Sequence, residues 1–512
     1  MVRKTAVRKN RYLDSVFLML VAQRIASQPG IHDASAMLAT EANRKLLAGM
    51  GYGDDGKDKD FAAAGPNDLV LAVEGDAAAV DAVMANADSY FARGYAAEAG
   101  SAPEPRSIAE AVTARPESSV AVISVPGEYA AREARAALRA GLHVFLFSSN
   151  VSVDDELALK RDARDRGLIV MGPDCGTGYL GGAGIGFANV VRRGPIGIVG
   201  ASGTGMQEFA SLVHRAGSGI SNGIGTGSRD PSDAIGAIST IAGVDALESD
   251  AATKVIAVIS KPPGESAIAV LAERLRRCKK PVVTCFFGEG HDDRIKGVST
   301  LDEAVGAALV AAGEKKPQFL ESEEGALQRS ASSEKAKLQP GRRYVRGFFA
   351  GGTLCYQAQS IFRRAGLSVY SNSPLHGMKE LTDPYQSREH TFVDMGAETF
   401  VHGRPHPMID ATLRRRRLEQ EARDPSVAVI LLDFVLGSIA SADPVSDLLG
   451  AIQSIRTMGI CVAASVCGTN EDRQSLEMQE RSLRRAGAMV FASSAQAASF
   501  CREAALLLGG GE

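Results

Sequence analysis

The sequence predicts an α/β protein laid out as a row of layers. A ferredoxin-like unit comes first, followed by a Rossmann-like domain and two flavodoxin-like domains. Two observations carry this reading. Short, continuously apolar runs recur between helical segments, the pattern of parallel strands covered on both faces. At 512 residues the chain is also too long for one core, because domains average about 150 residues. A hydrophobic fraction of 45% and a charged fraction of 23% lie near globular averages and exclude broad disorder.

Residues 12–91 read as strand, helix, strand, a polar Gly/Asp/Lys loop, a strand at Leu69–Val73 and a helix at Asp76–Phe91. Alternating periods of this kind define the ferredoxin-like unit, 1–100. Residues 94–106, rich in Ala, Gly, Pro and Glu, read as a linker. VAVISV, a helix through Ala140, HVFLF, a second helix and LIVMGP then make a Rossmann-like domain, 105–190. PIGIVG, a helix at Gly205–Ala216, KVIAVIS, a helix ending near Cys278 and PVVTCFFG repeat that order in 194–313. Residues 314–342, rich in Glu, Ser, Lys and Gln, read as a solvated linker. The last domain, 343–512, runs through YVRGFFAGG, LSVYS, VAVILLDFVLG, CVAASV and AMVFAS, with helices between.

Charge removes several function classes. Lys+Arg 57 against Asp+Glu 60 leaves a net charge of -3, so no bulk attraction to nucleic acid or an anionic membrane is available. The apolar run Val16–Ala22 is far shorter than the roughly 20 residues that span a bilayer. The basic start, Met1–Arg11, leads into no secretory signal. A cytoplasmic location is expected. The 7 Cys form no CxxC pair, so reduced, mostly buried thiols and no metal site are expected.

Two strand–loop–helix junctions carry the chemistry. In PIGIVGASGTGMQEF, Ser202, Gly203, Thr204 and Gly205 lie between an apolar strand and a helix; in VRGFFAGGTLCYQA, Gly351, Gly352 and Thr353 hold the same place. Small residues let backbone N–H groups approach an anion, and the helix dipole adds positive potential. Such junctions fall at the carboxyl ends of strands, where open α/β sheets bind ligands. A tight turn needed only for packing would look the same, but the pair occupies equivalent positions in two similar domains. Two helix N-termini facing each other would hold one phosphoryl group. Neither loop ends in the Lys-Ser/Thr of a P-loop, and neither completes GxGxxG with a following acidic residue, so nucleotide binding is unsupported.

Other residues are candidates to complete the site. Arg229 and Asp230 follow a Gly-rich turn in GIGTGSRDPSD, and His402, Arg404 and His406 lie in DMGAETFVHGRPHPMID between a strand and a helix. Arg and His bind phosphate, and His also carries protons; alternatively these side chains serve loop carbonyls. His291, in FFGEGHDD, follows a strand end, and its neighbours Asp292 and Asp293 equally suit a helix start. Glu208, one turn into the first helix, orients a His or complements the helix dipole. The run Arg414–Arg417 reads as a solvated helix face, Ser454–Thr457 as a helix end and Cys467 as a buried thiol.

These segments carry a resemblance. VAVISVPGEYAAREARAALRAGLHVFLFSS with LIVMGPDCGTGYL resembles the latter half of the CoA-binding domain of the succinyl-CoA synthetase alpha subunit. GPIGIVGASGTGMQEF through KPVVTCFFGEG resembles that subunit's second domain, and the segment from Arg343 onward resembles the ligase domain of its beta subunit. The fused order, with MGPDCGT, GIVGASGTGMQE and GRPHPMID, is similar to the FdrA family over nearly the whole chain. Three features depart from the synthetases. The CoA-holding first strand and Gly turn are replaced by the ferredoxin-like unit, the Gly-His-Ala-Gly-Ala segment of the phosphorylated His gives way to FGEGHDD, and no ATP-grasp domain is present.

The resemblance implies a subunit of an oxamate carbamoyltransferase, active with two further subunits and self-associating. The complex would interconvert oxalurate plus phosphate with oxamate plus carbamoyl phosphate in allantoin and purine breakdown. On that reading Ser202, Gly203, Thr204, Gly205, Gly351, Gly352 and Thr353 hold phosphate, Arg229 and Arg404 neutralise its charge, His406 supplies a proton or hydrogen bond, and His291 is a partial substitute for the missing His. Phosphate and carbamoyl phosphate are substrates, and CoA would lack its usual Gly turn. Two alternatives stand beside it: an NDP-forming acyl-CoA synthetase whose partner handles nucleotide, and a noncatalytic scaffold or regulatory subunit.

Overall fold

A computed structural model describes residues 2–11, 13, 15–53, 58–91, 105–287, 297–321, 324–402 and 404–509. The chain divides into two compact units. One comprises Met1–Ala114 with Val401–Asp410, and the other Arg115–Phe400 with Ala411–Glu512.

The first unit is built on a three-stranded antiparallel sheet in which Leu69–Gly75 lies between Val2–Arg8 and Ile31–Leu38. Leu69–Val73 is buried on both faces, which explains its unbroken apolar run. Helices Ser15–Ala26 and Ala77–Ala85 cover one face, packing Leu18, Val21, Ile25, Val80 and Val83 on Leu69, Leu71 and Val73. Helices Glu41–Gly49 and Lys59–Ala62 cover the other, packing Leu47 and Phe61 on Val70 and Ala72. Two expectations need correction. The first strand is Val2–Arg8, within the basic start, and part of the predicted polar loop is a second helical layer nucleated by caps at Thr40 and Asp58.

The second unit contains the predicted α/β layers. Val120–Ile123, His143–Leu146 and Val170–Met171 form a parallel three-stranded sheet. The next sheet has six strands in the order Val282–Phe286, Val255–Ser260, Arg193–Gly200, Ile220–Gly225, Thr177–Leu180, Ala183–Gly186. The hairpin 177–186 therefore belongs to the second α/β layer, although the sequence assigns it to the first. A seven-stranded parallel sheet follows, with Tyr344–Phe349 between Thr391–Asp394 and Val427–Val435, and Cys461–Cys467 next to the latter. Val427–Val435 is buried throughout. The predicted solvated linker contains the helix Glu324–Lys335, where Arg456 pairs with Glu334 and Lys335 reaches the carbonyl of Leu507 on the last helix. Its polar composition thus serves one ion pair and one hydrogen bond to the layer of the seven-stranded sheet.

Candidate phosphate cradle

Each Gly-rich loop closes a strand and opens a helix. Arg193–Gly200 leads through Ala201 and Ser202 into the helix Gly203–Arg215; Tyr344–Phe349 leads through Ala350 and Gly351 into the helix Gly352–Arg364. The structure brings the two helix starts together. Ser202 and Thr353 are joined by a hydrogen bond between their hydroxyls. A Cβ placed on Gly351 would lie 2.9 Å from both Cβ and Oγ1 of Thr204, and one on Gly205 would lie 3.0 Å from Thr353 Cγ2. The loops pack so closely that only glycine fits at Gly351 without a shift.

The first N–H groups of a helix lack intrahelical acceptors, and here some are already used. Gly205 N–H donates to Ser202 Oγ at 3.0 Å, while Ala350 and Gly351 N–H donate to Asp433 at 2.7 and 2.8 Å. Helix geometry leaves those of Gly203, Thr204, Gly352 and Thr353 for an incoming anion. The hydroxyls of Ser202 and Thr353, predicted to touch phosphate, instead lock the loops to each other. Asp433 is held by Arg414 at 3.1 Å, and Arg414 also donates to the carbonyls of Phe348 and Asp433 at 2.8 Å. This buried pair fixes the second loop from beneath.

Two more carboxyl groups adjoin the cradle helices. Asp394, at the end of its strand, sets Oδ2 2.5 Å from where a Gly352 Cβ would be. Burial pushes its carboxyl up to about 6, against the opposing charge of Lys261. Glu208, one turn into the first helix, is buried and accepts from Ser494 N–H at 3.0 Å; burial raises it as well. Asp302, pushed up to about 7 chiefly by burial, accepts from Ser493 Oγ at 2.6 Å and feels the charge of Glu208. Gln357, on the second cradle helix, donates to Ser494 at 2.7 Å. Glu208 thus ties the cradle into a buried network and faces no His among the described residues.

The remaining predicted residues fall elsewhere. Arg229 donates to Glu156 at 2.9 Å and to the Val151 carbonyl at 2.7 Å, and among the described residues it makes no hydrogen bond or ion pair with either loop. Glu156 is in turn shared with the fully buried Lys160, which also pairs with Asp230 at 2.8 Å. Arg229 and Asp230 are therefore engaged by an ionic core of the second unit, a correction that follows from Glu156 and Lys160 needing partners once buried. His402, Arg404 and His406 belong to Val401–Asp410, which is part of the first unit. Arg404 and His402 are exposed there, and His406 Nδ1 accepts from Met408 N–H at 3.2 Å. His291 lies outside the described residues. The Arg414–Arg417 run is a solvated face only in part: Arg415 and Arg416 are exposed, whereas Arg414 and Arg417, three apart, turn inward to Asp433 and Glu421. Cys467 is buried, as predicted.

Sequence reasoning missed Asp394 and Asp433. The available signal was a lone acid near the carboxyl end of an apolar strand, in TFVD and VAVILLDFV; such an acid is costly unless it has a partner. A cavity of about 220 Å³, lined by Val120, His143, Ile169, Met171 and Ile224 among others, opens at the amino ends of strands. That is the opposite end from the one where open sheets bind ligands.

A family model described as "AllF, heavy metal-associated domain" matches residues 1–106, and one described as "CoA-ligase" matches residues 348–503. The uncharacterized protein YahF of Escherichia coli (strain K12) is 40% identical over 513 residues, covering 98% of each chain. Among solved structures, PH0766 from Pyrococcus horikoshii OT3 is 14% identical with a TM-score of 0.31, over 75% of this chain and 83% of that one. ATP citrate lyase from Methanothrix soehngenii is 23% identical with a TM-score of 0.31, over 41% of this chain and 38% of that one.

The first of those descriptions implies a metal, and the donor set does not fit one. Soft metal ions select thiolate or thioether ligands, yet residues 1–106 contain no Cys; of their methionines, Met37 and Met50 pack against the core on one face of the sheet and Met84 against that on the other, and their one His, His32, lies 3.8 Å from Asp76. Where charges cluster in this unit they are mutually paired: Arg3 with Glu74, Lys9 with Asp68, Arg8 and Arg11 with Asp88. No group of three His, Cys, Asp or Glu suited to a metal occurs among the described residues.

Proposed function

The chain belongs to the FdrA family, an AllF-type domain followed by a CoA-ligase domain, and on that premise we propose that it is the phosphate-holding subunit of an oxamate carbamoyltransferase. The observation that supports this reading is the junction of two helix N-termini at Ser202 and Thr353. The two helix starts lie side by side there, and the N–H groups of Gly203, Thr204, Gly352 and Thr353, which have no intrahelical acceptor, would serve a single tetrahedral dianion.

In the direction of carbamoyl phosphate synthesis, an oxygen of bound phosphate attacks the carbamoyl carbon of oxalurate. The C–N bond to the departing oxamate nitrogen breaks, and that nitrogen takes up the proton given up by phosphate. Charge moves from the attacking oxygen to the carbamoyl carbonyl oxygen and the leaving nitrogen, while the remaining phosphoryl oxygens keep their charge and would be held by the N–H groups of Gly203, Thr204, Gly352 and Thr353. On this reading the chain acts with two further subunits.

A second reading, acyl-CoA ligation, is favoured by the CoA-ligase match, which includes Gly351–Thr353. Purified with its associated proteins, the chain is expected to consume carbamoyl phosphate only when oxamate is present. A parallel arm contains succinyl-CoA, ADP and phosphate. Turnover only in that arm would replace the carbamoyltransferase reading with ligation, and turnover in neither would reject both substrates.

A further inference from the structure

Phosphate in the cradle needs a countercharge, and Arg229, one of the two arginines expected in that role, is held instead by Glu156 and the Val151 carbonyl. We propose that Lys261 is the cation of the cradle, donating from Nζ to the phosphate held between Gly203–Thr204 and Gly352–Thr353. This inference rests on the phosphate-holding reading above.

Three observations place Lys261 there. It follows the strand Val255–Ser260, whose Ile259 carbonyl accepts from Ala201 N–H at 3.1 Å and whose Ile259 Cγ2 would lie 3.1 Å from a Gly205 Cβ. Residue 261 therefore leaves the sheet beside the first loop. Its Nζ stands 4.9 Å from the ring centroid of Tyr356. Tyr356 is four residues into the second cradle helix, about 6 Å along its axis from Gly352. Its charge also acts on Asp394, the carboxyl packed against Gly352. A lysine of one domain thus reaches the helix start of the other across the junction.

Beyond the long-range pull of Asp394, the charge of Lys261 is not neutralised by a direct partner among the described residues. The residue is half-buried, and no ion pair or hydrogen bond among the described residues engages its Nζ; its one close contact is the Tyr356 face. A partly desolvated ammonium with three free donors seeks an oxyanion. The ring holds the side chain extended without neutralising it. The cations near the first domain differ in this respect, since Arg229 and Lys160 are already paired.

Phosphate binding to the full chain, measured by calorimetry, tests the assignment with Lys261→Met and Lys261→Arg. Loss of a charge-assisted contact is expected to weaken phosphate about tenfold or more in K261M. K261R keeps the charge and is expected to stay within about threefold. Unliganded K261M should unfold at the wild-type denaturant concentration, because the lysine makes no ion pair. If wild type binds phosphate and K261M binds it equally, Lys261 is not the cation while the cradle stands. If wild type binds none, the cradle reading and Lys261 fall together. Oxamate as a separate titrant distinguishes the anion: a K261M loss confined to oxamate would reassign Lys261 to a carboxylate and overturn the phosphate role. Carbamoyl transfer, assayed separately, bears only on the reaction.

Discussion

Ser202 and Thr353, 151 positions apart, close the gap between two loops of matching design with one hydroxyl–hydroxyl hydrogen bond. Ser202 also caps its own helix through Gly205 N–H, so the two residues are unequal. Thr353→Val removes only the bridge and is expected to cost about 1 kcal/mol. Ser202→Ala removes the cap as well and should cost about 1.5–3 kcal/mol. Urea unfolding of both single variants and the double variant measures the coupling, expected at about 0.5–1.5 kcal/mol. Strict additivity would mean that the hydroxyls do not hold the loops together.

Gly351 is where the second loop meets Thr204. An added Cβ would stand 2.9 Å from Thr204 Cβ, inside any real contact, and the neighbour is a short, branched side chain that cannot swing away. Gly351→Ala is expected to lose about 1–3 kcal/mol by overpacking and to weaken phosphate by forcing the helix starts apart. Combining it with Thr204→Gly should recover much of the stability, read from denaturant midpoints. No recovery would place the cost of the methyl group elsewhere.

Both loops were legible in the sequence because a Gly-rich junction after an apolar strand has one common structural outcome. Their meeting was less so, since no local pattern tells Ser202 that Thr353 lies across from it. Arg229 shows the opposite failure. Its Gly-rich neighbourhood suggested an anion site, but Glu156 and Lys160, buried on a helix whose faces the sequence reading left unassigned, claim it first. Val2–Arg8 escaped notice because an edge strand of a small sheet exposes its basic residues, leaving little apolar signal. Lys261 carried no motif at all; it is recognisable only from the partners it lacks.

The amino-terminal unit is expected to hold no heavy metal despite the name of its family model. All seven cysteines lie beyond residue 106, and of these Cys278 alone is not buried. Dialysed chain, exposed to Zn(II) and to Cu(I) under reducing conditions, should retain no stoichiometric metal by mass spectrometry. Cys278→Ser should behave identically. Stoichiometric metal in that variant would show that His32 and its neighbours form a site despite the unfavourable donor set.

Asp302 makes stability depend on pH in a stated direction. Its carboxyl titrates near 3.8 when unfolded and is pushed up to about 7 when folded, by burial first, with one oxygen bonded to Ser493 and the other left without a partner. The folded state therefore binds this proton more tightly. Its contribution is full below about pH 3.8, falls as pH rises through the interval to about 7, and stays at its lower level above that. Glu208, raised by burial in the same network, acts in the same sense. Between pH 8 and pH 6 the wild-type denaturant midpoint should rise. Asp302→Asn keeps an acceptor for Ser493 but holds no charge, so it should flatten that rise and exceed wild type in stability at pH 8. A variant with the wild-type slope would show that Asp302 does not hold the proton, leaving the dependence to Glu208 and to the other carboxyls raised by burial, Asp394 among them.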